Sequence, residues 1–216
     1  MRSRFDEQLH VLNQKMIEMG ALCERLIALC ADALQNGSTK GAEEILSHGH
    51  EIDEMEREIE AICLKLLLQQ QPVARDLRQI SAALKMITDM ERIGDQAEDI
   101  AEIIPFLRGR TGQELAGFQT MAETVSRMVN GSIDAFVKKD LALAQAVIQR
   151  DDIVDDCFVQ VKNTLIRMIS DNTADGEYAV DLLMIAKYFE RIGDHATNIA
   201  EWVEFSVTGV HKGVSS

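Results

Sequence analysis

Glu91-Arg-Ile-Gly-Asp-Gln-Ala-Glu-Asp-Ile-Ala-Glu102 returns almost unchanged as Glu190-Arg-Ile-Gly-Asp-His-Ala-Thr-Asn-Ile-Ala-Glu201, with nine of twelve positions identical across a displacement of 99 residues. A fixed long period marks a repeated structural unit. Both copies keep acids and a glycine as well as apolar positions, so chemistry repeats along with architecture. On a helix, residues four apart lie about 40° from one another around the axis, which puts Glu91, Asp95 and Asp99 on one stripe, joined by Glu98 and Glu102. Ile93, Ile100 and Ile104 lie across the axis, with Met90 and Ala97 beside them, as a core-facing side requires.

Outward from the motif the repeat continues. Ile45-Leu46 and Ile52-Asp53 match Val147-Ile148 and Val154-Asp155 at a displacement of 102, and Leu34 matches Phe136 at the same displacement. A three-residue change in one connection reconciles the two displacements. Breaks divide the chain into six helical segments: Phe5–Leu34, Lys40–Gln70, Val73–Leu107 with a bend near Pro105, Gln113–Val137, Leu141–Ser170 and Glu177–Val207. Asn36-Gly37-Ser38, Gln71-Pro72 and Asp171–Gly176 supply the turns. Gly109-Arg110-Thr111-Gly112 reads as the linker between units. The expectation is an all-α fold of two tandem, pseudo-symmetric three-helix bundles, residues 1–108 and 113–207, with a flexible tail over 208–216.

Composition agrees: 216 residues, 46% hydrophobic, two prolines and 5% aromatic suit compact helical bundles. A net charge of −14 disfavours binding to nucleic-acid phosphates or anionic lipid. The opening Met1-Arg-Ser-Arg-Phe-Asp-Glu lacks the apolar run of a signal peptide. No stretch approaches the roughly 18 apolar residues of a spanning helix, so a soluble, cytosolic chain without membrane insertion is expected. Cys23, Cys30, Cys63 and Cys157 show no Cys-x-x-Cys spacing and read as reduced thiols.

The acidic stripe needs an explanation. Its like-charged pairs at three and four residues, such as 91/95, 95/98 and 98/102, each cost roughly 0.2–0.5 kcal/mol, and Arg92 and Lys85 are the only cations near that side. Solvent, a neighbouring Arg or Lys, a basic partner surface, or a bound cation would offset the repulsion. Carboxylates at this spacing can ligate hard or borderline cations, and oxygen-rich sites suit Mg²⁺, Mn²⁺, Ca²⁺ or iron, with zinc if His195 contributes. Gly94 and Gly193, each unfavourable by about 1 kcal/mol in mid-helix, imply close approach of a neighbouring helix. Arg92 and Arg191 are expected to pair with acids on the next helix, His195 to hydrogen-bond between helices, and Trp202 to anchor packing. A ferritin-like dimetal enzyme would need Glu-x-x-His on two helices, and only Glu7–His10 fits. No glycine-framed serine or Walker-type phosphate loop is present.

The paired Glu-Arg-Ile-Gly-Asp-x-Ala segments, the turn Gln71-Pro-Val-Ala-Arg-Asp-Leu-Arg78 and the tandem layout together resemble the PhoU family over Phe5 to Phe205. The resemblance implies a nonenzymatic cytoplasmic adaptor, peripheral at the inner membrane only through its partners. It would be a negative regulator of high-affinity phosphate uptake and of the phosphate-starvation two-component response. Implied partners are the nucleotide-binding subunit of a phosphate ABC transporter, a phosphate-sensing histidine kinase and a second copy in a homodimer. The resemblance also implies metal ligands, Glu91, Asp95 and Asp99 in the first unit and Glu190, Asp194 and Asn198 in the second. The metal would be divalent or multinuclear iron, zinc, manganese or magnesium. Asn198 departs from the acidic pattern, giving the second site one charged ligand fewer. The family's Asp-x-x-Ile/Val-Asp pattern survives as Asp151, Val154 and Asp155, whereas Gly49 stands where the first unit's leading Asp would be. The second unit carries Thr173-Ala-Asp-Gly-Glu177 in place of Gln71-Pro-Val-Ala-Arg75.

Overall fold

The helices begin where the chain can satisfy their free amides. Val73, extended at φ −71°, leads from Pro72 into its helix, while Asp140 and Asp175 accept from the amides of Leu143 and Tyr178 at 3.0 and 2.8 Å. Such caps are each worth roughly 0.5–2 kcal/mol. Arg110 of the linker also pairs with Asp175 at 2.6 Å, and the Tyr178 amide, then Arg110, hold its carboxyl below the ordinary range. The computed structural model describes residues 2–70, 72–112, 115–172 and 175–210, and the side chains within them except those of residues 2–4, 69 and 70. The expectations for Gln71, Gln113, Thr173, Ala174 and the tail beyond Val210 lie outside these residues.

Among the described residues six α-helices form: α1 (Arg2–Asn36), α2 (Thr39–Gln70), α3 (Ala74–Ile103), α4 (Ala116–Lys138), α5 (Leu141–Ser170) and α6 (Gly176–Thr208). The expected bend at Pro105 is instead a stop. A proline has no amide to continue the α-helical ladder, so α3 ends at Ile103 and Pro105 lies in a 3₁₀ turn, Ile104–Leu107. Gly37 turns the chain between α1 and α2 at φ +59°, and a Cβ there would fall 2.8 Å from Gly109 Cα, so the linker passes directly over this turn.

Register follows from side-chain pairs. Lys15 and Arg25 of α1 meet Glu58 and Glu44 of α2 at 3.2 and 3.1 Å, and Thr88 and Gly94 of α3 lie against Glu56 and Ile52, so α2 runs antiparallel to both neighbours. The Cys23 and Cys30 thiols donate to the Met90 and Ala97 carbonyls at 3.5 Å, one consistent parallel offset between α1 and α3. Burial pushes the Cys23 and Cys63 thiols up to about 12, and that of Cys30 up as well. The four cysteines are free, as their spacing suggests.

Each unit is a three-helix bundle, α1–α3 and α4–α6. The units meet through α1 against α4 and α3 against α6, leaving α2 and α5 on the outer sides. Of the residues matched by the repeat, Ile45, Ile52, Val147 and Val154 are buried, as are Leu34 and Phe136, whereas Leu46 is exposed. One continuous apolar cluster runs through both bundles. Arg78, at the start of α3, lies against Gly209 at the left-handed end of α6. A cation there complements the helix dipole and accounts structurally for one Arg of the turn motif. Among the described residues no helix is long and apolar enough to cross a membrane.

Candidate functional site

Close helix approach creates the site. Gly94 faces Ile52, whose Cδ1 would lie 2.8 Å from a Cβ at that position, and Ile52 is only 1% exposed. The mid-helix glycine therefore has the packing reason its sequence position implied. Gly94→Val would overfill this contact, a change that typically costs ~1–3 kcal/mol. A fall of that size in urea-unfolding free energy is expected, while Gly193→Ala, whose nearest obstacle is the Asp151 carboxylate at 3.2 Å, should be nearly neutral.

Beside Gly94 a crevice of about 120 Å³ opens between α2 and α3. Gly49, His50 and Asp53 line it from α2, and Glu91, Asp95 and Glu98 from α3. Burial, then the charge of Asp95, raises the Glu91 carboxyl above its ordinary range, with Arg92 opposing. Burial, then Asp95 and Asp53, raises Glu98 likewise. Arg92 pairs with Asp95 at 2.8 Å and Glu91 at 3.4 Å on its own helix. That corrects the expected pairing with the next helix: the Arg92 side chain is exposed on the rim, within reach of its own i+3 neighbour.

The second unit repeats the arrangement between α5 and α6. Asp151 sits against Gly193. Burial, then Asp194 and Asp155, pushes its carboxyl up to about 6, with the Thr197 hydroxyl beside it opposing. Asp194 is raised by burial and then by Glu190, and Lys187 relieves it. Lys187 also pairs with Glu190 and lies 5.6 Å from the Phe158 ring centroid.

The structure thus brings Glu91 and Asp95 together in one crevice, and Glu190 and Asp194 together with Asp151 at the corresponding gap between α5 and α6. Asp99 and Asn198 turn away, onto the seam between units. Asn198 donates to Asp89 of α3 at 3.2 Å, and Asp99 is raised by burial and then by Glu102 and Asp95, with Arg191 of α6 relieving it. His195 makes the expected bond between helices, Nδ1 to Asp89 at 2.9 Å. Asp89→Ala would remove the shared partner of His195 and Asn198, and since one contact is part-buried and the other exposed, a loss of about 0.5–1.5 kcal/mol is expected in denaturant titration. Asp53, Glu98, Asp151 and Asp155 complete the two crevices. A spacing of seven was the available signal for Glu98: seven residues return to within about 20° of the starting direction, eight rotate about 80° beyond it.

In kind and number these donors fit a hard cation. The half-buried carboxylates are charged against one another, and the glycines leave room between the helices. Among the described residues no three His, Cys, Asp or Glu side chains converge as a ready coordination set, so ligation would require the carboxylates to rotate inward.

The PhoU domain profile matches residues 16–104 and again 118–203. The chain is 36% identical over 210 residues to a phosphate-specific transport system accessory protein PhoU homolog from Clostridium acetobutylicum, covering 96% of each chain. It is 34% identical over 206 residues to the Zymomonas mobilis homolog, covering 95% of this chain and 87% of that one. Among solved structures, PhoU from Pseudomonas aeruginosa matches with a TM-score of 0.88 at 32% identity, covering 95% of this chain and 100% of that one. The phosphate transport system regulatory protein PhoU from Streptococcus pneumoniae matches with a TM-score of 0.87 at 25% identity, covering 96% and 98%.

Proposed function

The chain belongs to the PhoU domain family, and on that premise we propose that it is an accessory regulator of a phosphate-specific transport system, acting by contact rather than catalysis. The observation that carries this reading is the match of both units, together with a relative of that name covering 96% of this chain. In this reading the protein is cytoplasmic. It docks on the nucleotide-binding subunit of a phosphate ABC transporter and on a phosphate-sensing histidine kinase when phosphate is plentiful. Both uptake and the starvation response are restrained.

The acidic groups of the first unit line the crevice between α2 and α3, and those of the second lie together between α5 and α6. Asp53, Glu91, Asp95 and Glu98 would hold a metal in the first unit, and Asp151, Asp155, Glu190 and Asp194 in the second. A bound divalent cation would neutralise the mutual repulsion of these carboxylates and bridge the helix pairs. The chain's own groups position the donors: Arg92 and Lys187 each hold a rim carboxylate, and the glycines set the helix spacing. The same clustered carboxylates also support a second reading, a metal-free docking face for a basic partner surface.

Binding of the purified protein to each proposed partner, measured at low and high salt and with or without chelator, tests both readings. Complexes weakened by chelator favour metal-controlled docking, and complexes weakened by salt alone favour the metal-free face. No binding to either partner under phosphate-replete conditions, with metal or without, would overturn the proposed function.

A further inference from the structure

The two crevices differ at one pair of positions in a reciprocal way. Through the repeat, Gly49 corresponds to Asp151 on the middle helix of each unit, and Glu98 corresponds to Thr197 on the motif helix. At this pair of positions the first unit has its acid on α3 and none on α2, and the second has the reverse. The geometry shows why this matters. A Cβ built on Gly49 would fall 1.2 Å from Glu98 Oε1, so the Glu98 carboxylate lies in the volume that a side chain at position 49 would fill. In the second unit Asp151 projects from the middle helix to within 3.2 Å of a Cβ on Gly193, and the short Thr197 leaves that space to it. Asp53 and Asp155, Glu91 and Glu190, and Asp95 and Asp194 are shared.

Resting on the metal reading above, we propose that Glu98 and Asp151 are one donor delivered from opposite helices, so that each crevice presents four carboxylates to its cation. Gly49 is then a permissive position: only a residue without a side chain lets Glu98 cross the helix gap. The departure at Asn198 does not leave the second crevice short of charge, because Asn198 belongs to the seam. The two crevices should accept the same class of hard divalent cation.

The test isolates the first crevice in a full-length background carrying D151N and D194N, and titrates Mn²⁺ by calorimetry, with elemental analysis of the loaded protein and its melting temperature as further readouts. E98T should weaken Mn²⁺ binding by about 10–100-fold, the range seen when even supporting groups of a metal site are lost. G49D/E98T, which transplants the second unit's arrangement, should restore it. Unchanged helicity by circular dichroism keeps a folding defect from being read as lost ligation. Undiminished affinity in E98T, or failure of G49D/E98T to recover it, would overturn the exchange while leaving the metal reading standing. No Mn²⁺ binding by the unsubstituted protein would instead overturn the metal reading and the exchange with it.

Discussion

Phe189→Ala is expected to lower the unfolding free energy by about 3–5 kcal/mol, the usual range for emptying a large aromatic site in a closed core. Phe189 lies on α6 with no exposed surface. Its ring centroid stands 6.5 Å from that of Phe118 on α4, tilted by 60°. The loss combines the transfer free energy of the removed atoms with the cost of a cavity. Neither can be recovered by local collapse, because α6 is held on three sides by α3, α4 and α5. At roughly 2–4 °C per kcal/mol for a chain of this size, calorimetry should show a melting point lower by about 6–20 °C. Phe106→Ala is the control, since that ring is 68% exposed and surface changes of this kind stay within about 0.5 kcal/mol. The continuous core adds a sharper expectation: both units should melt in one transition, whose midpoint the substitution shifts as a whole. A second, unshifted transition would mean that the units unfold independently and that the α3–α6 seam contributes little.

Much of this architecture is legible in local pattern because helices report their own periodicity. Leu141–Ser170 is bounded by Asp140, a capping residue, and by a turn-forming run, so its ends are written in neighbouring residues. The repeat made the second copy of each core position predictable from the first, and mid-helix Gly94 announced a close contact that Ile52 supplies. What local pattern does not carry is which neighbour each face meets. Asp99 follows Glu91 and Asp95 at equal spacing, yet each step of four rotates the side chain by about 40°, and by the second step it has left the α2 side for Arg191 of α6. Asn198 undergoes the same rotation and meets Asp89. That destination depends on the antiparallel register of α3 and α6, a relation between residues about a hundred positions apart. Glu98 illustrates the converse: its role depends on an absence, the missing side chain of Gly49 on another helix.

Metal and protons should compete for the same carboxylates, each relieving their mutual repulsion. In chelator, Asp151 has a folded value of about 6, above its ordinary 3.8, because burial and then Asp194 and Asp155 disfavour its charge. Glu91, Glu98 and Asp194 are shifted in the same direction. Between these values the folded state binds more protons than the unfolded one, so stability falls as pH rises. The destabilisation is complete above about pH 6 and is relieved as pH falls toward 3.8. In chelator, then, these groups make the protein more stable near pH 5 than near pH 7.5, and D151N should flatten that slope. A cation competes with the same protons. At about a hundredfold excess over its Kd, each occupied crevice should add ~2.7 kcal/mol, so two crevices would together add about 5 kcal/mol near pH 7.5 and progressively less as the carboxylates protonate. Melting curves collected from pH 4.5 to 8 with Mn²⁺ and with chelator should diverge toward the alkaline side and converge toward the acid side. Superimposable curves at pH 7.5 would remove the cation from the account and leave the carboxylates as a docking face, while a gap that widened on acidification would place the metal on groups other than these.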